Sequence, residues 1–422
     1  MPPVRARVAL LCTLGLLTAA CATTPVARVA DRLAVPDVLG QPHGTPAVIG
    51  QPAPAGTGLL TAVTCAGLEH CWAVGAPAPA SATGSAGVKT GAGATQPAPS
   101  PVVIDATANG GQTWAGQPLA LPTTPSLTAI ACPRAQECMA VGSNGALAPS
   151  AIVLTTGDGG AIWNEVSIPA GAVVITGVAC TSDHDCTVVA SDGTTVWTAH
   201  SSDFGRSWQR EGNLPAGMAD AGGLWCRSDG TCLASGYSTT TPGHGQGAIV
   251  ISVDGGATWA AASVPAGTGL LQDVACPSAF SCLAVGTTST TVSGLMPAAG
   301  KLLQSADGGH TWSPSLASPP IGDVSGIDCP SPHTCVIVGT KWIGQPPVGT
   351  GAVARSADGG TSFVAATTEY TPLGLTALVC PSDQSCIAAG GDTVARITLP
   401  APPAPKVVRP RATHRFAPGG LR

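Results

Sequence analysis

The sequence predicts an all-β chain, a seven-bladed β-propeller, on three observations. The spacing C-x5-C recurs seven times in 422 residues, with apolar runs before and after each copy. A Gly-rich octapeptide that ends in an aromatic residue recurs six times between those pairs, 45 to 53 residues apart. Glycine (55) and proline (39) are abundant, while charged residues make up only 10% and amphipathic helical arrays are scarce. Short Val/Ile/Leu/Thr runs punctuated by Gly, Pro, Ser and Asp read as strands and turns. A period near 50 residues that holds four short strands is that of a propeller blade.

Arg5 and Arg7 precede an apolar stretch from Val8 to Leu17, and Thr18-Ala19-Ala20-Cys21 follows. A basic start, a short apolar run and small residues make a secretory signal over 1–20. The run is too short to span a bilayer. The small residues before Cys21 resemble the bacterial lipobox, which implies lipidation of Cys21 and a linker over 21–44. Plain cleavage near Ala20, giving a freely secreted protein, is the alternative. Removal of the signal leaves 16 basic and 23 acidic residues, and five of the basic ones (Lys406, Arg409, Arg411, Arg415, Arg422) lie in the tail. The folded part is therefore acidic, which argues against nucleic acid as a partner. The expectation is a monomer of the bacterial cell envelope, touching the membrane through its lipid alone.

The cysteine pairs are Cys65/Cys71, Cys132/Cys138, Cys180/Cys186, Cys226/Cys232, Cys276/Cys282, Cys329/Cys335 and Cys380/Cys386. Their flanks repeat as well, as in "LTAIACPRAQECMAVG" and "LLQDVACPSAFSCLAVG". Each copy reads as strand, polar five-residue turn, strand. A lone pair of this kind would leave metal, redox and structural readings open. Seven copies in an exported chain point to one disulfide across the first hairpin of each blade.

The octapeptides are "TANGGQTW" (107–114), "TGDGGAIW" (156–163), "SSDFGRSW" (201–208), "SVDGGATW" (252–259), "SADGGHTW" (305–312) and "SADGGTSF" (356–363). They resemble the Asp box, or BNR repeat, of sialidases, sortilin-type receptors and photosystem II assembly-factor propellers, and the resemblance extends over roughly 55–399. It implies a structural role for Asn109, Asp158, Asp203, Asp254, Asp307 and Asp358, as acceptors of backbone N–H groups in a turn between the third and fourth strands. That turn lies away from the family's ligand face, so none of these residues is expected to be catalytic.

Within residues 127–169 the strands read "LTAIAC", "CMAVGS", "AIVLTT" and, after the octapeptide, "WNEVSIP". There are seven cysteine hairpins but six octapeptides, and only "TVARITL" (393–399) follows Cys386. A seventh blade therefore lacks its outer strand unless "TPAVIGQ" (45–51) supplies it. That closure removes an exposed sheet edge; six or eight blades are the alternatives. The propeller is thus placed at 45–399. It carries a low-complexity insertion at 76–100 and is followed by a Pro-rich basic tail at 400–422; neither segment has the composition to build a core.

Ligand chemistry is expected in the segments 236–247, 287–299, 340–351 and 366–374, opposite the cysteine turns. They hold Tyr237, His244, Met296, Lys341, Trp342, Glu369 and Tyr370. The binding candidates are Trp342, Tyr237, Tyr370 and Lys341, with Trp342 foremost because "TKWIGQPPVG" reads as an exposed loop. The sialidase resemblance implies an arginine triad and a Tyr/Glu pair. Arg134, Arg206 and Arg227 fall on the cysteine face, Arg355 and Arg396 in third strands, and the chain has two tyrosines. Other glycosidases need paired carboxylates across a cleft, for which Asp273, Asp323 and Asp328 are the candidates. No phosphate loop precedes a helix and the eight histidines show no zinc spacing, so neither cofactor nor metal is expected. The function expected is a non-catalytic binding or scaffold propeller that recognises a protein or a glycan, with a divergent glycoside hydrolase as the alternative.

Overall fold

The computed structural model describes residues 45–54, 56–77, 103–144, 149–166, 168, 171–215, 217–241, 243–291, 298–344, 348–369 and 374–401. The signal, Cys21, the linker to residue 44, residues 78–100 of the insertion and residues 402–422 of the tail lie outside the described residues.

Seven sheets follow one another along the chain as a seven-bladed β-propeller, six antiparallel ones of four strands and one of five that includes a parallel pair. Blades 1 to 6 occupy 59–116, 126–166, 174–213, 218–261, 271–314 and 324–365, and blade 7 combines 377–398 with 47–52. In every blade the second strand carries a run of at least five buried residues. Cys186–Ser191 and Cys282–Thr287 are almost wholly sealed between neighbouring blades, which is why these runs are apolar on both faces. Fourth strands are short, such as Asn164–Val166 where seven residues were expected, because they form the outer edge and short edges resist further pairing.

All seven C-x5-C pairs are disulfides, with Cα atoms 3.9 to 4.1 Å apart. Each links the first strand of its blade to the second, and no disulfide crosses between blades. Closing so small a loop contributes about 2–3 kcal/mol by the chain-entropy model. Seven such links are those of a protein made for an oxidising compartment.

The turns that these disulfides close differ from expectation in three blades. A five-residue turn with a cysteine at either end was expected throughout, yet in blades 1, 2 and 7 the strands run past the cysteines. Cys71 lies inside His70–Ala76, where Ala66 pairs with His70. Cys138 lies inside Glu137–Asn144, where Arg134 pairs with Glu137, and Cys386 follows the Ser382–Ser385 pair. In blades 3 to 6 a serine or aspartate of the turn draws backbone N–H groups away from the ladder. Ser278 accepts from Ser281 N and Asp229 Oδ1 from Thr231 N, both at 3.0 Å. The turns of blades 1 and 2, "AGLEH" and "PRAQE", contain neither residue type and the ladder continues. Blade 7 has both in "PSDQS", with Ser382 accepting from Gln384 N, and its ladder reaches Ser382–Ser385 all the same. Cys71 and Cys138 are 0% exposed, which places their sulfurs in the core and not in a polar turn.

The octapeptide turns follow one plan. In 252–259 the Ser252 hydroxyl accepts from the Gly256 amide at 2.8 Å, and Asp254 accepts from the Thr258 amide at 2.9 Å and its hydroxyl at 2.6 Å. The Ser207 hydroxyl and amide hold the Asp203 carboxyl down to about 2. The glycine at the fifth position of each turn has positive φ and abuts the preceding blade. The residue just after the second cysteine of that blade fills the space where its side chain would begin. The six contacts are Ile387 on Gly111, Trp72 on Gly160, Met139 on Gly205, Thr187 on Gly256, Leu233 on Gly309 and Leu283 on Gly360, at 2.4 to 3.2 Å. Each turn therefore locks its own hairpin and docks the neighbouring blade. Phe204 holds the left-handed conformation (φ 57°) where the other turns have glycine, the one non-Gly residue to do so among those described.

Closure uses the N-terminal strand. Ala47–Pro52 pairs antiparallel with all of Thr393–Thr398 as the fourth strand of blade 7. The connector after blade 6 then adds Thr367–Glu369, parallel to Ala47–Ile49, as a fifth strand. This part of the 366–374 segment, expected to carry ligand chemistry, covers the edge of the closing strand.

Candidate functional site

The first strands of all seven blades line a central channel with their inner edges. In six of them a β-bulge falls four residues before the first cysteine. Counting blade 7, that position carries Thr61, Thr128, Thr176, Gly222, Gln272, Ser325 and Thr376, and these line a cavity of about 390 Å3. The bulge turns the threonine hydroxyls toward the next blade. Thr61 donates to Leu127 O (2.8 Å), Thr176 to Ala221 O (2.8 Å) and Thr376 to Leu60 O (3.2 Å), so neighbouring blades are tied at the axis.

Two carboxylates do the same work on the other side of the ring. Asp273, in the first strand of blade 5, accepts from Ile327 N of blade 6 at 3.0 Å and from Val274 N at 2.8 Å. Asp328, at the end of the first strand of blade 6, accepts from Cys380 N of blade 7 at 2.6 Å. Of the three carboxylate candidates, Asp273 lies inside its strand, Asp328 ends its strand, and Asp323 immediately precedes that same strand. Burial raises Asp273 to about 7, an effect opposed by its two N–H donors and assisted by the charge of Asp328. Burial likewise raises Asp328 to about 6. Both line a second cavity of about 320 Å3 toward the cysteine turns, and no Lys, Arg or His is among the residues lining either cavity. At the seam of blades 4 and 5 the tie is missing and Gly223 stands in its place. A side chain there would begin 2.8 Å from the Asp273 Cα, so the two strands approach too closely for any residue but glycine.

Above the channel, two expected loops are extended hairpins. Tyr237 lies in the strand Cys232–Thr241 and pairs with Asp220, while Lys341 and Trp342 lie in Cys335–Ile343 opposite Thr350 and Gly349. Trp342 is half-buried, and its indole N–H donates to Asp323 Oδ2 at 3.1 Å. The other Asp323 oxygen is enclosed without a partner. Lys341 is exposed. Burial raises Asp220, and burial together with the Asp220 charge raises the Tyr237 phenol. Trp342 and Tyr237 stand on blades 6 and 4, with blade 5 between them. Tyr370 and Met296 lie outside the described residues.

The arginines do not converge. Arg134 pairs with Asp183, and Arg227 with Asp229, beside the cysteine turns. Arg355 is 3% exposed within blade 6, where burial lowers its pKa. Sequence reasoning missed Asp105, which is fully buried in the third strand of blade 1. Burial raises it to about 6, and the Thr57 hydroxyl lies 2.9 Å from one oxygen and 3.0 Å from the other. The available signal was an acid inside the apolar run "VVIDAT".

The chain is thus a disulfide-stapled, seven-bladed β-propeller with a hydroxyl-lined axial channel. No family model and no curated protein matches it. Solved structures do. YCF48 bound to a D1 peptide aligns with 85% of this chain and 100% of its own at 16% identity (TM-score 0.55). The GH74 xyloglucanase of Xanthomonas campestris aligns with 82% of this chain at 15% identity (TM-score 0.55), and this chain spans about half of that enzyme (52%). A streptogramin B lyase aligns with 86% of this chain and 100% of its own at 9% identity (TM-score 0.58). At these identities the likeness is one of fold.

Proposed function

We propose that this chain is a non-catalytic binding propeller of the Asp-box type, held outside the cytoplasm by a lipid on Cys21. It recognises a protein segment or a glycan at the channel mouth opposite the cysteine turns. The observation that carries this reading is the extended hairpin of blade 6, at the end of the blade opposite its disulfide, where Asp323 fixes the half-buried Trp342 indole. Lys341, the preceding residue of the strand, is exposed on the other face. A fixed aromatic ring loses little conformational freedom on binding, which is why such rings anchor recognition sites. The fold-level likeness to YCF48, which takes a D1 peptide, agrees with a peptide occupant.

A crosslinking pull-down from the native envelope and a glycan array, each run with Trp342→Ala, test this reading. Loss of the captured ligand at an unchanged melting temperature supports it. Unchanged capture removes Trp342 from the site. Incorporation of a palmitate analogue that survives Cys21→Ala would dismiss the anchor.

One observation favours glycoside hydrolysis as a second reading: two carboxylates raised toward neutrality face the same channel. Their bonds to the backbone of the next blade account for them as ties. Turnover of xyloglucan or sialosides by the purified protein, abolished by Asp273→Asn in a folded variant, would overturn the non-catalytic reading.

A further inference from the structure

Blade 1 departs from the other repeats at several positions that line a single groove, and we propose that this groove binds a neutral pyranose unit of a glycan. It lies beside the octapeptide turn 107–114, away from the channel mouth, and does not rest on the reading above. The register of blade 1 sets Trp72, Ala106 and Ala115 side by side in one row across its second, third and fourth strands. In blades 2 to 6 the place of Ala106, just before the octapeptide, is held by Thr155, His200, Ile251, Gln304 and Arg355. With two alanines in the row, blade 1 has a cavity of about 410 Å3 there, within the range of small-ligand sites.

What surrounds that space is aromatic and polar but carries no acid. Trp72 is only 2% exposed, with His70 stacked on it at 6.4 Å between ring centroids and 23° between planes. The half-buried rings of His70 and Trp114 are the ones open to the space. The other blades place Met139, Thr187, Leu233, Leu283, Val336 and Ile387 where blade 1 has Trp72. Asn109, Thr113 and Gln117 complete the polar lining. Asn109 stands where the other five turns have aspartate, and it keeps the turn's bonds: Thr113 N donates to its Oδ1 at 3.0 Å and its Nδ2 donates to Thr113 Oγ1 at 2.8 Å. An aspartate there would give the groove the charge that its counterparts carry, since hydrogen bonds hold Asp158, Asp203 and Asp307 below the usual carboxylate range. The exchange preserves the turn and leaves the groove without that charge.

A second observation lies just behind this lining. The Trp163 indole N–H of blade 2 is buried, its residue 6% exposed, and has no partner. Gln117 Oε1, Trp72 Nε1 and Trp163 Nε1 lie 3.0, 3.2 and 3.4 Å from the point where a side chain on Gly160 would begin. A cationic ligand would find no carboxylate here to offset its desolvation. A purely apolar one would cover the Gln117 amide and leave it unsatisfied. A pyranose has C–H faces for the aromatic rings and neutral hydroxyls for the amides, and it meets both demands.

The test uses the mature chain and the methyl pyranosides of glucose, galactose, mannose and N-acetylglucosamine, read by saturation-transfer NMR and tryptophan fluorescence. At least one should bind. Ala106→Gln, which installs the residue blade 5 carries at this place, should weaken it by roughly tenfold or more with the melting temperature unchanged. His70→Ala should weaken it as well, and Trp342→Ala should leave it intact. The proposal is overturned if no pyranoside binds, if Ala106→Gln leaves binding intact in a folded protein, or if only an apolar tripeptide occupies the groove.

Discussion

Two adjacent glycines of one turn separate local strain from the docking of neighbouring blades. Gly255 and Gly256 both have positive φ, +76° and +96°. A side chain on Gly255 would meet nothing within 4 Å, whereas one on Gly256 would begin 2.9 Å from Thr187 Cγ2 of the preceding blade. Gly255→Ala should therefore cost only the left-handed conformation of an L-residue, about 1–2 kcal/mol. Gly256→Ala adds the overpacking of a well-filled seam, about 1–3 kcal/mol, for a total of about 2–5 kcal/mol. Thr187→Ser supplies the control, because it deletes the obstructing methyl and keeps the hydroxyl that donates to Gly255 O at 3.0 Å. Urea unfolding followed by tryptophan fluorescence on the three single variants and on Thr187→Ser combined with each glycine variant gives the couplings. Thr187→Ser should recover most of the excess cost of Gly256→Ala and nothing of the Gly255→Ala cost. Equal losses for the two glycines, or a Gly256→Ala/Thr187→Ser variant that is simply additive, would refute docking through this contact.

Stability should rise on mild acidification. Asp273 and Asp328 bind protons more tightly in the folded chain than at their ordinary value of 3.8, so stability is gained as pH falls through about 7 and about 6. The melting temperature should be higher near pH 5 than near pH 8, and Asp273→Asn should flatten that slope; a wild-type profile that rises with pH would contradict it. Replacing Cys276 and Cys282 together by serine should cost about 2–3 kcal/mol in urea unfolding without altering the other links. Peptide mapping of the native protein should recover all seven hairpin links, from Cys65–Cys71 and Cys132–Cys138 through Cys380–Cys386, and any link between blades would contradict the pairing.

The repeated parts of this fold are plain in the sequence because each blade states them again. The cysteine hairpins and the octapeptides recur in register, and the surplus of hairpins over octapeptides already calls for a strand from the N-terminal side. The common spacing hides one difference, since Cys71 and Cys138 sit within their strands where serine and aspartate are missing from the turn. The channel mouth was less legible. "TKWIGQPPVG" has the composition of a loop, yet Lys341 and Trp342 continue the hairpin because Thr350 and Gly349 stand opposite them. A side chain at 349 would begin 2.7 Å from Thr340 Cγ2 and 3.2 Å from the Trp342 ring, so glycine fits the space those two leave. The ties made by Asp273 and Asp328 could not be read at all, since their N–H partners sit 54 and 52 residues away and meet them only when the ring is built. The groove of blade 1 was within reach. Ala106 and Asn109 stand out once the repeats are aligned, but the family resemblance directs attention to the opposite face.

The outer strand of the last blade is among the first parts of the fold to be synthesised. Ala47–Pro52 must wait for Thr393–Thr398, and the Thr376 hydroxyl must reach Leu60 O across 316 residues. Contacts of such long sequence separation form slowly, because the entropy of closing the loop is lost before any bond compensates for it. Blades 1 to 6 draw all four strands from neighbouring sequence and can form as the chain emerges, whereas blade 7 completes only after the last strand is released. Until then Ala47–Pro52 has one edge that only Thr393–Thr398 can fill, and blade 7 has another. Assembly therefore ends in one late, concentration-sensitive step, in which these edges find each other or find another molecule. A chain shortened before residue 393 would lose more than a strand; it would leave every copy with a matching pair of unfilled edges.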